Sequence, residues 1–86
     1  MNLKVLRMEI DNIDRQILLL LQRRMNFVQN IGKEKRKSNR QITDSGRERQ
    51  INDNWLAKGK RLGLEPKFVK QLLKLIIKEA TRIQKL

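Results

Sequence analysis

Two cations occupy positions where an apolar helix face calls for hydrocarbon. Arg24 continues the series Ile17, Leu21 and precedes Val28 and Ile31, and Lys35 extends the same series one turn further. Eleven residues separate the two cations. At 100° per residue they point within about 20° of each other, roughly 16 Å apart along a helix axis. Long side chains at that separation can lean together over one small anion. Each of them alone could equally run its stem to the edge of the face and leave its charge in water. Arg47 lies four residues before Ile51 and eight before Trp55, in the first turn of a second helical stretch, where the helix dipole favours acids over cations. Its neighbours Asp44 and Glu48 suit that turn, so Arg47 faces either a ligand or an ion pair, the pair being the commoner outcome. Gln84 continues a third stripe through Ile76 and Ala80. Its amide needs a partner if buried, although a position so close to Leu86 also fits a solvated last turn. Arg7 sits about 25 Å from Arg24 and roughly 100° around the helix, so only an antiparallel second chain could bring such a residue to the same place.

The chemistry open to these groups is narrow. The sequence contains no histidine and no cysteine. Thiolate nucleophiles, imidazole bases, disulfides and nearly all transition-metal sites are therefore excluded. No metal and no cofactor is expected. The formal charge of +12 favours an anionic ligand, either a small acid or a nucleic acid.

Three helices must position these residues. Leu3, Leu6, Ile10, Ile13, Ile17, Leu20/Leu21, Val28 and Ile31 recur in steps of three and four, which predicts one amphipathic helix from about Leu3 to Lys37. Such a helix is roughly 50 Å long. The remaining 49 residues cannot cover it, so its stripe is expected to pack on a second chain. Ser38 to Thr43 breaks the pattern. Asp44 or Ser45 opens a second helix, with Ser45-Gly-Arg-Glu48 in capping-box form. Ile51, Trp55 and Leu62 suit its buried side, and Gly59 and Gly63 fall around its end. Pro66 suits the first turn of a third helix, which carries Val69, Leu72, Leu73, Ile76, Ala80 and Ile83 on one face and Lys67, Lys70, Lys74, Lys78 and Lys85 on a separate basic side.

Eighty-six residues, 38% hydrophobic and 35% charged, fit one small domain over residues 1–86, too apolar for disorder and too polar for a membrane span. The longest apolar run, Ile17 to Leu21, is far short of the roughly 20 residues a spanning helix needs. The N-terminus has no continuous apolar signal core. A cytoplasmic protein without membrane partners is expected.

In sum these residues resemble a known family, the all-helical chorismate mutases. The resemblance lies in Leu6-Arg7-x-x-Ile10-x-x-Ile13-Asp14, Leu21-x-x-Arg24, Ile31-Gly32-Lys33-x-Lys35, Asp44-x-x-Arg47-Glu48-Arg49 and Ile76-Ile77-x-x-Ala80-x-x-x-Gln84. It covers nearly the whole chain in order, and the combination is specific although each piece is weak. It implies an all-α fold of one long and two shorter helices, forming an intertwined homodimeric bundle with two composite sites. It implies conversion of chorismate to prephenate, a step towards phenylalanine and tyrosine. By the same resemblance Arg24 and the partner chain's Arg7 would bind the two carboxylates of the substrate. Lys35 and Gln84 would meet the ether oxygen of the breaking bond. Glu48, with the backbone of Asp44, would hold the ring hydroxyl, and Arg47 would support that wall. Family members often carry serine where this chain has Ala80, which removes one polar contact and bears on affinity more than on reaction type.

Two other functions compete. A lyase on the same fold eliminates pyruvate from isochorismate. A basic helical module would bind nucleic acid through the run Lys33-Glu-Lys-Arg-Lys-Ser-Asn-Arg40. Nucleic acid is disfavoured by an aromatic content of 3%, by the lack of a zinc, RRM or basic-zipper pattern, and by cations placed on apolar stripes. A purely structural coiled coil would leave Arg24 and Lys35 without a ligand.

Overall fold

The computed structural model describes residues 1–41 and 44–86 as three helices, α1 (Leu3–Lys37), α2 (Ser45–Arg61) and α3 (Pro66–Gln84), with no strand among the described residues. This is the all-α class expected from the periodicity, and the limits of α1 fall where its stripe begins and ends. Ile42 and Thr43, part of the expected break, lie outside the described residues.

Each helix is delimited by side-chain and backbone caps. Asn2 accepts the Val5 N–H at 2.9 Å, which satisfies one of the amides orphaned at the start of α1. At the other end Asn39 takes a left-handed φ of 57°. The Asn39 N–H then reaches the Arg36 carbonyl at 3.3 Å, and the Arg40 N–H reaches Lys35 at 2.8 Å. This is the paired closure that stops a helix sharply. Helix α2 begins at Asp44, whose Oδ1 accepts the Arg47 N–H at 3.0 Å. Of the two candidates Asp44 is therefore the cap, and Ser45 is the first helical residue. Gly63 at φ 76° ends α2 with the same double closure, Leu64 N–H to Gly59 at 2.9 Å and Gly63 N–H to Lys60 at 3.1 Å. Glu65 caps α3 through the Phe68 N–H, and Pro66 occupies the first turn, where its missing N–H costs nothing.

The packing is centred on α3, which contacts both other helices. The buried apolar residues are Val28 of α1 and Val69, Leu73, Ile76 and Ala80 of α3. Gly59 lets α2 approach closely, because a Cβ there would stand 3.0 Å from Val69 Cγ2. Leu62, expected on the buried side of α2, is 77% exposed. The helix stops at that residue, and the chain turns before Leu62 can reach α3.

The first two-thirds of α1 stands clear of the rest. Ile10, Ile13 and Ile17 are each about half exposed, as are Leu3, Leu6 and Leu20. The molecule is accordingly long and thin, 55 × 23 × 15 Å. No helix among the described residues is long and apolar enough to cross a membrane.

Leu73, at 1% exposure, is the one fully buried large side chain among the described residues. Leu73→Ala is expected to lower the unfolding free energy by about 2–5 kcal/mol, measured by chemical denaturation.

Candidate functional site

The lower third of α1, the first turns of α2 and the last turns of α3 enclose a cleft of about 360 Å³, within the size range of small-molecule sites. Its polar lining comes from Arg24 and Lys35 of α1, from Asp44, Arg47 and Glu48 at the start of α2, and from Thr81 and Gln84 of α3. Phe27, Val28, Ile31, Ile51, Ile77 and Ala80 supply its apolar walls. Six of the seven residues singled out in the sequence thus meet at one place. The exception is Arg7, which is exposed on the uncovered part of α1 and lines no part of this cleft.

Arg24 is the least satisfied group in the cleft. Its Nη1 is buried and has no hydrogen-bond partner among the described residues. Burial, reinforced by the charge of Arg47, pushes its guanidinium below the ordinary value. Both effects penalise the charged form, but an arginine stays protonated at any usable pH. An anion in the cleft would satisfy both the unpaired N–H and the charge. Arg47 adds a second cation, and its Nη1 donates to Gln50 Oε1 at 2.6 Å. Among the described residues no ion pair forms at Arg47, although a pair is the commoner outcome for such a residue, and two neighbouring cations face one cleft.

At the opposite end Lys35 Nζ donates to Gln84 Oε1 at 3.0 Å. An ammonium has only donors, so the amide oxygen must face it, and the Gln84 NH2 group remains available to donate. Gln84 is half-buried and helical, and not a loose, solvated end. Asp44 and Glu48 line the cleft beside Arg47, with Asp44 occupied as a cap. Glu48 keeps its carboxylate free to accept from a neutral donor such as a hydroxyl.

Thr81 and Phe27 were not anticipated. Thr81 Oγ1 donates to the Ile77 carbonyl at 3.0 Å, a common back-bond that gives no sequence signal of a site. Phe27 is 64% exposed at the cleft edge and falls outside the main stripe of α1. No cluster of three or more acids that could hold a metal occurs among the described residues.

The cleft is thus cationic, with a carboxylate at one side, a lysine–amide pair at the other and hydrocarbon between them. It can hold a small acid with two or more oxygen-rich ends and an apolar ring. With no cysteine or histidine in the sequence, it has no thiol or imidazole with which to attack such a molecule.

Comparison with known proteins agrees with this geometry. Residues 6–85 match the family model for chorismate mutase type II. The chain is 37% identical over 84 residues to the bifunctional chorismate mutase/prephenate dehydratase of Buchnera aphidicola subsp. Acyrthosiphon pisum (strain APS), covering 98% of this chain and 22% of that protein. It is 32% identical over 82 residues to the protein of the same name from Escherichia coli (strain K12), covering 95% of this chain and 21% of that one. The chain spans about a fifth of the length of these relatives.

An unpaired buried cation predicts a particular response to substitution. Arg24→Met is expected to leave the ligand-free protein as stable or slightly more stable. It should abolish the rise in melting temperature that a small cyclic dicarboxylate induces in the parent. Thermal unfolding with and without the dicarboxylate checks both parts.

Proposed function

The chain belongs to the chorismate mutase type II family, and on that premise we propose that it rearranges chorismate to prephenate in a site completed by a second copy of itself. The observation that carries this reading is the buried, unpaired Nη1 of Arg24, in the same cleft as the Lys35–Gln84 pair. A carboxylate at Arg24 would satisfy the one buried side-chain group left without a partner among the described residues.

The reaction suits the groups present. The carbon–oxygen bond of the ether breaks as a carbon–carbon bond forms, within one molecule and with no proton to move. No general base, nucleophile, metal or cofactor is required. The enzyme must hold a flexible dianion in its compact conformer and stabilise the charge that grows on the ether oxygen. In this proposal the Arg24 fork binds one carboxylate in two-point fashion. Lys35 and the free NH2 of Gln84 meet the ether oxygen, where they gain strength as the bond stretches and so favour the transition state over the substrate. Glu48, beside the Asp44 backbone, takes the ring hydroxyl, and Arg47 supports that wall.

The second carboxylate needs another cation, and the bare stripe of α1 supports a source for it. A dimer in which the N-terminal halves of two α1 helices cross would bury Leu3 to Leu20. It would also deliver Arg7 of the partner subunit to the cleft. The intertwined dimer is thus proposed both for the stability of α1 and for the completeness of the site.

The deciding experiment is a chorismate assay with product identification. Loss of chorismate absorbance with prephenate as product is the expected result. An unchanged spectrum at high enzyme concentration overturns the proposal, and release of pyruvate from isochorismate instead would assign the lyase. Lys35→Ala should cost on the order of 3–4 kcal/mol of transition-state stabilisation, several hundredfold in kcat. Arg7→Ala and Arg24→Ala should each be nearly inactive alone. Mixed and reassorted, they should regain about a quarter of the parental activity, because half the dimers are mixed and each of those carries one intact site. Failure to regain activity would exclude Arg7 of the partner subunit from the site.

A further inference from the structure

Gln84 stands where helices usually fray. It is the last residue of α3, and the final carbonyls of a helix have no amide of the next turn to accept from. The Lys85 N–H reaches Thr81 and Arg82, and the Leu86 N–H reaches Ile83. Neither serves the Gln84 carbonyl. That oxygen accepts instead from Arg36 Nη1 at 2.6 Å, a charge-assisted bond supplied by another helix. A cation at the carbonyl end of α3 also meets the negative end of the helix dipole.

One turn before Arg36, on the same face of α1, Gly32 lies buried against the same residue. A Cβ at position 32 would stand 2.9 Å from both the Cα and the carbonyl oxygen of Gln84. Those are backbone atoms, which cannot swing aside as a side chain can. Helix α1 therefore touches Gln84 at three points: Gly32 at its backbone, Arg36 at its carbonyl and Lys35 at its side-chain amide. Only the last of these faces the cleft.

We infer that Gly32 and Arg36 are positioning residues for Gln84, clamping the end of α3 so that the Gln84 amide is held at Lys35 with its NH2 group directed at the substrate. The inference rests on the mutase reading of the cleft. Gly32 sets how near α3 approaches, and Arg36 fixes the last peptide against fraying. Without them Gln84 would share its time among the rotamers and backbone states of a free helix end. A displacement of about 1 Å at a reacting group costs up to a hundredfold in rate.

The test combines turnover with a direct reading of the clamp. Arg36→Ala is expected to lower kcat about tenfold with a smaller change in KM, and Arg36→Lys, which keeps one donor, to restore most of the loss. Added to Gln84→Ala, Arg36→Ala should lower kcat no further, because the group it positions is gone. A merely structural role would produce the same loss in both backgrounds, and that result overturns the inference, as does an unchanged kcat in Arg36→Ala. Gly32→Ala should mimic Arg36→Ala where it folds. The side-chain amide NMR signal of Gln84 reads the clamp without turnover. It should be dispersed and slow to exchange in the parent, and collapse to the position of a free glutamine in Arg36→Ala. A signal that does not move overturns the clamp. A parent protein that leaves chorismate untouched overturns the mutase reading, whatever the NMR signal does.

Discussion

The apolar face of α3 is the surface on which this chain depends, because both other helices bury against it. Val69, Leu73, Ile76 and Ala80 follow one another at steps of three and four. The early part of that face holds α2 through Val69 and Gly59, and the late part holds α1 through the approach of Gly32 to Gln84. Nothing else fixes α1 relative to α2 among the described residues. The cleft opens between them where α3 runs on past its own core. Lys35 stands on α1 and Gln84 on α3, so the approach of these two helices sets the geometry of the pair at that end of the cleft.

This arrangement leaves the energetic burden unevenly spread. A core of five buried apolar residues among those described is small, and the stripe of α1 from Leu3 to Leu20 lies bare. Isolated helices are marginal in water unless an apolar face is packed. The cations deepen the problem. Arg24 is partly desolvated beside a like charge, a loss that the folded chain does not recover internally. Both deficits point outward, one towards an apolar partner and the other towards an anion. A buried Arg24 N–H without a partner among the described residues sacrifices some stability, a common arrangement at functional positions.

The helices were legible in the sequence because they depend on local rules. Periodicity marked α1 from Leu3 to Lys37, Pro66 marked the start of α3, and glycines marked the end of α2. Arg24 and Lys35 were legible for a related reason, since a cation interrupting an apolar period is itself a pattern. The roles of single polar contacts were not. Whether Asp44 or Ser45 capped α2, whether Arg47 met an acid or Gln50, and whether Gln84 was frayed or held depended on side chains from different turns or different helices. In the sequence Arg36 is one member of the basic run from Lys33 to Arg40. Its only local signal is that it lies four residues after Gly32, on the same face of α1. That spacing gains meaning only once the end of α3 is known to arrive there.

The composition also constrains what such a site can do. With no histidine or cysteine in the sequence, rate acceleration has to come from groups that keep one charge state at neutral pH. Arginine, lysine and amide satisfy that condition, and they act by fixed charge and fixed position. Catalysis of this kind tolerates no looseness, because a dipole that must turn to meet the developing charge spends part of the stabilisation it offers. The three contacts from α1 to Gln84, the close approach at Gly32 among them, therefore belong to the same physical problem as the choice of residues in the cleft. A reaction without proton transfer can dispense with titrating groups, but it must have a rigid frame, and here that frame closes at the last turn of α3.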